Sequence, residues 1–544
     1  MPLRCFVCLF STLLGPMVLA QSAAARNEAH TVFFVEAHSQ TVEPNSGPGA
    51  VNFGKINVCP AGQTSPAPCG RTSKLTYNVT ATTRFGATNV VTQGVSNLDF
   101  TLSATTCTNT VLAGGSCTVS VTFAPDAPGV RMGAVQLTDS SGNLLVTTYV
   151  YGNGQGPVAA FTPGAMRKLP VVGYAGGAMA VDAAGNVYFS TDSGLAKFDP
   201  RTGVQTTVAA DAPFASGLAV DGAGNIIVSN NGVVEIAPST GIQTPIGENL
   251  TQTIGVAVDG RGNLYIGDDW EFGPEGQETY PRLAEIFAVS GRQEDLLGGS
   301  IPGLEGIPLL NFPWGVAVDG AGNAYIATFN FGPVYESIAG TKPDGGDGVI
   351  ASREFESVGD FNNPSTVAVD AAGDVFVDDC CLDPTGIYEF VPSSGNQTMV
   401  VYGPGEISIA LDELGNLFYE NGPNGALMEA MDSQPATLHF GKIPVGSRSA
   451  PQSIVIQNVG NQPLNAVPPG LSVSADFLQV PGSGTPADCT DSLSLAPGAT
   501  CNLSLVFAPQ GVGKIKGKAT FSDNALNKTP SATQSVELQG TGIE

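Results

Sequence analysis

The chain has 544 residues and a formal net charge of −26, from 22 Lys and Arg against 48 Asp and Glu. A chain of this length is expected to form several domains, because one hydrophobic core rarely organises so many residues. Glycine is abundant (69 residues), charged residues make up only 13%, and Val, Thr, Ser and Asn are frequent. This composition favours short strands and tight turns, so we predict an all-β protein and exclude a helical fold.

Residues 1–25 have the form of an export signal. A basic start, MPLR, precedes the apolar stretch CFVCLFSTLLGPMVLA, and small residues allow cleavage before Gln21 or after Ala25. The stretch is short for a membrane anchor, and no later apolar run could span a bilayer. We therefore predict a secreted or periplasmic protein with no membrane span.

The eight cysteines beyond the signal form four close couples. An even number of cysteines in local pairs is typical of disulfides in an oxidising compartment. Zinc is the alternative, but it needs four convergent ligands, and no CxxC remains once the signal is removed. Disulfides are therefore favoured, although a ring between adjacent cysteines is strained. The predicted couples are Cys59 with Cys69, Cys107 with Cys117, Cys380 with Cys381, and Cys489 with Cys501.

The two ends of the chain resemble each other. VNFGKINV at 51–58 matches LHFGKIPV at 438–445, and CTVSVTFAP from Cys117 matches CNLSLVFAP from Cys501. Alternating apolar and polar residues, a length of about 110 residues and a late FAP turn predict an immunoglobulin-like sandwich at each end. We assign these sandwiches to 26–154 and 434–544.

A short phrase of the form AVDGAGN recurs through the middle of the chain. In each copy an Asp is followed four residues later by Asn, or once by Asp374, with Gly immediately before. Successive copies lie 39, 38, 60, 51 and 42 residues apart, a period typical of propeller blades. The Asp side chain can accept backbone N–H groups and the Gly can adopt a positive φ, so the phrase is predicted to form hairpin turns. The turn residues are Asp182, Asp221, Asp259, Asp319, Asp370 and Asp412.

These six copies resemble NHL-type repeats, and the ends resemble the Hydin-like or choice-of-anchor D modules of exported bacterial proteins. The first resemblance covers about half of the chain and implies a six-bladed β-propeller at 155–433 between the two sandwiches. Two copies depart from the pattern. The fifth has Asp374 in place of Asn, and the sixth reads IALDELGNLFY.

The net negative charge of the chain comes from the middle block. Residues 155–433 hold 9 Lys or Arg against 36 Asp or Glu, a net charge of −27, while the rest holds 13 against 12, a net charge of +1. An acidic surface repels phosphate backbones, so no nucleic-acid partner is predicted. The same surface would attract divalent cations or basic partners.

An oxygen-bearing residue stands nine positions after each turn Asp, where the second strand ends. In a propeller these positions form a ring on one face, and Ca²⁺ takes six to eight oxygen ligands. The favoured alternative is that each side chain caps its own strand end. The candidate metal residues, drawn from this ring and its neighbours, are Asp192, Asn230, Asp268, Asp269, Asp379 and Asn421.

Two repeats carry insertions at the same end, at 268–282 and 328–348. Extra loop length on one face of a repeat protein is typical of a binding face. Aromatic residues there could stack on a sugar or grip a peptide, or could equally pack the loops against the sheets. These candidate ligand-binding residues are Trp270, Phe272, Tyr280, Phe329, Phe331 and Tyr335.

Acid–base machinery is scarce in the middle block. No histidine lies between 155 and 433, and the chain has no GxSxG, HExxH or Walker motif. We therefore predict an exported, non-catalytic binding or scaffold protein that binds a protein or carbohydrate ligand through the acidic propeller face. The alternative is a metal-dependent, lactonase-like hydrolase built from carboxylates and amides on that face.

Overall fold

A computed structural model describes residues 41–44, 49–269, 281–288, 290–298, 312–329, 332–339, 355–380, 384–403, 408–421 and 425–544. Within these residues the only helical element is the 3-10 turn Ala525–Asn527, so the predicted all-β class is confirmed.

The first part of the chain forms two sheets packed face to face, here called the N-terminal sandwich. One sheet has the strand order β1-β3-β8-β6, and the other has the order β2-β10-β9-β4-β5 with β7 beside β4. Phe53, Phe100 and Phe123 are fully buried between them. The strands are β1 (Val42–Pro44), β2 (Val51–Asn57), β3 (Arg71–Val79), β4 (Thr83–Thr92), β5 (Val95–Ser96), β6 (Phe100–Thr105), β7 (Thr110–Val111), β8 (Ser116–Phe123), β9 (Gly129–Asp139) and β10 (Leu144–Gln155).

The middle of the chain forms six antiparallel four-stranded sheets in the described residues, preceded by the short strand β11 (Ala159–Thr162). Sheet 6 combines β12 (Gly164–Lys168) with β33 (Ile409–Leu411), β34 (Leu417–Asn421) and β35 (Ala426–Pro435). The other strands are, in sheet 1, β13 (Tyr174–Val181), β14 (Val187–Thr191), β15 (Gly194–Asp199) and β16 (Val204–Ala210); in sheet 2, β17 (Gly217–Val220), β18 (Ile226–Ser229), β19 (Val233–Ala237) and β20 (Ile242–Ile246); in sheet 3, β21 (Gln252–Val258), β22 (Leu264–Asp269), β23 (Arg282–Ile286) and β24 (Gln293–Gly298); in sheet 4, β25 (Pro313–Val318), β26 (Ala324–Thr328), β27 (Val334–Ser337) and β28 (Phe355–Val358); in sheet 5, β29 (Pro364–Val369), β30 (Val375–Asp379), β31 (Gly386–Val391) and β32 (Asn396–Tyr402).

A separate apolar core lies between each pair of neighbouring sheets. Ile236 and Leu195 share the core between sheets 1 and 2, and the same pattern repeats around to sheets 5 and 6. The last core joins sheet 6 to sheet 1, where Leu427 and Phe418 pack with Phe189. The first strands of neighbouring sheets also contact each other, from β13 through β33 and back to β13. This radial arrangement of four-stranded sheets is that of a β-propeller.

The repeated phrase forms the turn between the first two strands of each sheet, as predicted. In sheet 1, Asp182 Oδ1 accepts the backbone N–H groups of Ala184 and Asn186 at 2.9 and 3.0 Å. Gly185 has a φ of +76°, which an L-residue rarely adopts. The corresponding carboxylate accepts backbone N–H groups in the other five turns as well. The phrase is therefore architectural, and these six turns define what we call the turn face.

The end of the chain forms a second two-sheet unit, the C-terminal sandwich. Its sheets have the orders β11-β37-β41-β39 and β36-β43-β42-β38-β40, which match those of the N-terminal sandwich. Phe477 and Phe507 are buried in its core. Its later strands are β36 (Leu438–Pro444), β37 (Gln452–Asn458), β38 (Leu464–Val473), β39 (Phe477–Gln479), β40 (Ser494–Leu495), β41 (Thr500–Phe507), β42 (Gly513–Asp523) and β43 (Ala532–Ile543).

The first strand of the C-terminal sandwich comes from before the propeller. Strand β11, at 159–162, lies in the sequence assigned to the middle block, yet it pairs antiparallel with β37. It takes the place that β1 has in the N-terminal sandwich. The propeller is therefore inserted between two strands of one sandwich, a connection that the short segment AAFT gave no pattern to predict.

Three of the four predicted disulfides are confirmed. Cys107–Cys117 and Cys489–Cys501 occupy equivalent places in the two sandwiches, and Cys59–Cys69 is additional in the first. The fourth predicted couple includes Cys381, which lies outside the described residues.

The N-terminal sandwich covers the turn face. It packs on the residue that follows the turn Asp, which is small in five of the six turns. The backbone N–H of Ala183 donates to Gln93 Oε1 at 2.8 Å. A methyl group at Gly222 would lie 2.6 Å from the Gly133 oxygen, and one at Gly260 would lie 2.9 Å from the Tyr151 ring. Small residues are therefore required for this close approach.

The sixth turn has Glu413 at this position. Glu413 contacts Arg131, which is the one buried cation of this interface among the described residues. Arg131 is 3% exposed and lies 2.6 Å from Asp99, which is fully buried in the same sandwich. Its other guanidinium nitrogen forms a salt bridge with Glu413. The departure of the sixth copy from the repeat thus fixes one rotational position of the sandwich on the propeller.

Arg131→Met should lower the free energy of unfolding by about 3–5 kcal/mol, because the fully buried Asp99 and the half-buried Glu413 would lose their cation. Urea-induced unfolding followed by circular dichroism measures the change. The matched control is Arg201→Met, which removes a 77% exposed partner of Asp199 and should cost less than about 1 kcal/mol. Equal losses in the two variants would show that the buried ion pair does not hold the sandwich in place.

Candidate functional site

The end of the propeller opposite the turns is the candidate site, here called the loop face. Both sandwiches contact the turns, so the loop face is the end that they leave uncovered. The second strand of each sheet ends at the loop face. The described segments of the loop face include 191–194, 211–216, 230–231, 247–251, 268–269, 312–314, 329, 360–363, 379–380 and 421.

Asp268, at the end of β22, is buried and fully engaged. Its Oδ1 accepts the backbone N–H groups of Thr251 and Gln252, both at 3.1 Å. Its Oδ2 accepts from the Arg282 guanidinium at 2.9 and 3.0 Å, and Arg282 also reaches Asp295 at 3.3 Å. Asp268 therefore ties the strand end to the loop that enters sheet 3.

Asp379 has the same role at the end of β30. It is 5% exposed and accepts the backbone N–H of Asn363 at 2.6 Å and that of Asn362 at 3.0 Å. The preceding residue, Asp378, is fully buried and accepts the Ser365 hydroxyl at 2.5 Å. These carboxylates hold the loop that enters sheet 5.

Three of the four remaining ring positions also make local contacts. Thr191 donates to the Gly194 oxygen at 3.0 Å, Asn230 donates to the Phe214 oxygen at 2.8 Å, and Thr328 donates to Pro333. Asp192 and Asn421 are exposed. Hydrogen bonds of this kind are those of side chains that cap strand ends.

The described residues contain no group of three or more His, Cys, Asp or Glu side chains close enough to hold a metal ion. Asp269 ends β22, but its side chain lies outside the description. The Ca²⁺ site therefore stays a prediction. A cation at Asp268 or Asp379 would have to compete with the N–H donors that these carboxylates already accept.

Two aromatic rings stack at the loop face of sheet 4. Trp314, near the start of β25, and Phe329, just past the end of β26, have ring centroids 3.9 Å apart and an interplanar angle of 3°. Both are half-buried, and Phe312 beside them is 40% exposed. Phe329 was predicted from the sequence as a ligand-binding residue. Trp314 was missed because it sits two residues inside the strand that precedes the turn.

Of the other predicted aromatic residues, Tyr335 is half-buried in β27. Burial raises the pKa of its phenol above the usual value. The other four, Trp270, Phe272, Tyr280 and Phe331, lie outside the described residues.

A buried carboxylate–phenol pair lies next to the ring positions. Tyr174 in β13 donates its hydroxyl to Glu420 Oε2 in β34 at 3.2 Å, which links sheet 1 to sheet 6. Burial raises the pKa of Tyr174 well above its usual range, and the Glu420 charge raises it further. The phenol therefore stays protonated and is a fixed hydrogen-bond donor.

A polar cavity of about 720 Å³ lies on the other side, between the turns and the sandwiches. Its amide side chains bond one another: Gln155 donates to Asn153 at 2.6 Å and Asn461 donates to Asn153 at 3.1 Å. These amide groups are satisfied within the protein, and the lining comes from the turns and the docked sandwiches, so the cavity belongs to the docking interface; Asp370, whose Oδ2 has no partner among the described residues, also lines it.

No protein-family model and no curated protein matches the chain. Among solved structures, a gluconolactonase from Xanthomonas campestris is 14% identical with a TM-score of 0.39, over 51% of this chain and 94% of that one. An auxiliary nutrient binding protein from Bacteroides ovatus is 11% identical with a TM-score of 0.36, over 66% and 94%. Similarity at this level carries no argument about activity.

Asp379→Ala should lower the free energy of unfolding by about 1–3 kcal/mol, because the N–H groups of Asn362 and Asn363 would lose their acceptor. Thermal unfolding measures the effect. Asp379→Asn keeps one acceptor oxygen and should cost less. The exposed Asp192→Ala is the control and should stay within about 0.5 kcal/mol. A negligible loss for Asp379→Ala would contradict the anchoring role.

Proposed function

We propose that the protein is an exported binding protein that holds a carbohydrate ligand on the loop face of its propeller. The main support for the proposal is that the two faces of the propeller differ: one is covered by the sandwiches and the other is not. The turn face is occupied by the sandwiches, whereas the loop face carries the stacked Trp314–Phe329 pair on sheet 4.

The chemistry of this face suits a hydroxyl-rich ligand. Ligand sites combine aromatic surface with a few fixed polar groups. Trp314, Phe329 and Phe312 supply the aromatic surface, and the exposed Asp192 and Asn421 offer acceptors and donors. A protein ligand is the alternative, and the test below separates the two.

We further propose that the six sheets are the blades of an NHL-type propeller and that the sandwiches are immunoglobulin-like modules. The core between sheets 6 and 1 supports closure after six blades. The matching strand orders of the two sandwiches support a common module. In this arrangement the sandwiches act as a base that presents the loop face.

The hydrogen bonds of Asp268 and Asp379 favour a binding function over the lactonase-like alternative. A metal-dependent hydrolase needs carboxylates that can turn to the metal and substrate. Asp268 is bonded to Arg282 and to two backbone N–H groups, and Asp379 is bonded to two backbone N–H groups. Their existing bonds support a structural role.

Export is supported by the three disulfides, since such bonds persist in oxidising compartments. None of the described helical segments is long and apolar enough to cross a membrane.

A panel of oligosaccharides titrated into the purified full chain tests the proposal. The chain has two tryptophans, Trp270 and Trp314, so quenching of tryptophan fluorescence reports on this part of the sequence. Binding affinity is measured by calorimetry. Trp314→Ala should weaken binding about tenfold or more, whereas Trp314→Phe should retain part of the affinity because an aromatic ring remains. Ile242→Ala, an exposed position on an outer strand, is the control.

Unchanged affinity in Trp314→Ala would contradict the proposed site. Binding of proteins but not of any glycan would replace the carbohydrate with a protein ligand. Turnover of a lactone that is lost in Asp268→Ala with Asp379→Ala would favour the hydrolase.

A further inference from the structure

The turns of five sheets share one side-chain hydrogen bond that the turn of sheet 5 lacks. In each of the five, the Asn side-chain amide donates to Oδ2 of the turn Asp, as Asn323 does to Asp319 at 2.9 Å. The same bond measures 2.8, 3.1, 3.1 and 2.7 Å in sheets 1, 2, 3 and 6. Sheet 5 has Asp374 in place of the Asn, and an ionised carboxylate cannot donate.

The loss of this donor leaves an orphaned oxygen. Asp370 Oδ1 still accepts the backbone N–H groups of Ala372 and Asp374, both at 2.9 Å. Asp370 Oδ2 is buried and has no hydrogen-bond partner among the residues that the structure describes. A buried acceptor without a donor is costly, and two carboxylates within one turn repel each other if both are ionised.

The C-terminal sandwich docks at this turn. Gln457 of β37 is 5% exposed, and its amide nitrogen donates to Asp374 Oδ2 at 3.1 Å and to Glu389 Oε1 at 2.5 Å. Gly498 of the same sandwich lies so close that a methyl group there would be 2.7 Å from Asp374 Oδ1. The contact therefore joins two carboxylates, Asp374 and Glu389, through a single neutral amide.

Among the described residues, the charged groups that act on the pair are acidic. Beyond burial, the charge of Glu389 in β31 raises the pKa of both Asp370 and Asp374, and the charges of Glu389 and Asp412 raise the pKa of Asp432 in β35 of sheet 6. The docked sandwich contributes the neutral Gln457. Within the described residues, neither Asp370, Asp374 nor Glu389 forms a salt bridge.

We propose that this cluster is a proton-dependent latch between the C-terminal sandwich and sheet 5. A proton held between Asp374 and Asp370 restores the hydrogen bond that Asn donates in the other five turns. Loss of that proton leaves Asp370 and Asp374 both ionised within one turn, beside Glu389, and loosens the docking. The latch is independent of the ligand proposed for the loop face.

The electrostatics of the pair give the direction of the pH dependence. Burial, followed by the charge of Glu389, raises the pKa of Asp374 to about 7, and burial with the charge of Asp374 raises the pKa of Asp370 well above its usual value. A carboxyl whose folded-state pKa is raised stabilises the fold below its unfolded value of 3.8, and this contribution is lost as the pH rises through about 7. The latch is therefore closed in mild acid and weakened above neutrality.

Asp374→Asn is the direct test, because it supplies the donor that the other turns have without a titrating proton. Thermal unfolding of the full chain is compared at pH 5 and pH 8. The wild-type midpoint should fall further between these values than that of Asp374→Asn, by about 2–4 °C, and the variant should be the more stable protein at pH 8. An identical pH dependence in both proteins would overturn the proposal.

Amide hydrogen exchange, corrected for the intrinsic rate at each pH, tests the edge of the C-terminal sandwich that lies against the turns. At this edge Val459 lies against Gly415 and Gly498 lies against Asp374. Within the sandwich, Val459 donates its N–H to the Val158 oxygen and Gly498 donates to the Asn458 oxygen, so both amides become exposed when this edge leaves the propeller. Protection of these two amides should fall about tenfold from pH 5 to pH 8 in the wild type and stay constant in Asp374→Asn, since tenfold corresponds to one pKa unit. Equal falls in both proteins would count against the latch.

Asn323→Asp is the matched control, since it creates the same acid pair in sheet 4, where Gly320 of the turn faces Asn153 of the N-terminal sandwich. It should leave the protection of Val459 and Gly498 as in the wild type; a change there would point to a general charge effect and overturn the latch.

Gln457→Met gives a test that does not depend on residue 374. It should reduce protection more at pH 8 than at pH 5, and an equal loss at both would contradict the proposal.

Discussion

The antiparallel pairing of β12 with β35 is the constraint on which the rest of the structure depends. It places a strand from before the repeats on the outer edge of sheet 6, so the first and last parts of the propeller share one sheet. With sheet 6 complete, each sheet can bury both faces against its neighbours. This arrangement brings the six described turns to one face and the ends of the second strands to the other.

The two faces then have different roles because different residues are exposed on them. On the turn face, small residues after the turn Asp let the N-terminal sandwich approach, and the two copies that deviate receive specific partners. Glu413 meets Arg131 and Asp374 meets Gln457. Deviation from the repeat thus marks where each sandwich docks, whereas the regular positions maintain the turns.

Much of this architecture could be predicted from the sequence, because the turns rely on local chemistry. An Asp that accepts nearby N–H groups and a Gly with positive φ act within five residues, as at Asp182 and Gly185. The docking roles of Glu413 and Asp374 could not be predicted, since their partners, Arg131 and Gln457, are distant in the sequence and belong to the sandwiches. The same holds for β11, whose four residues carry no pattern of their own. In the candidate site, capping of the strand ends is the interpretation that the sequence favours for Asp268 and Asp379, whereas Trp314 lies within a strand and carries no such signal.

The insertion of the propeller has a mechanical consequence. The chain leaves the C-terminal sandwich after β11 and returns before β36, and at this junction Ala436 donates its N–H to the Pro163 oxygen at 3.3 Å. Exit and return are therefore side by side. Tension applied between the two ends of the chain would pass through the paired strands β11 and β37 of the sandwich and bypass the inserted propeller. The propeller would bear load only after β11 is pulled away from β37.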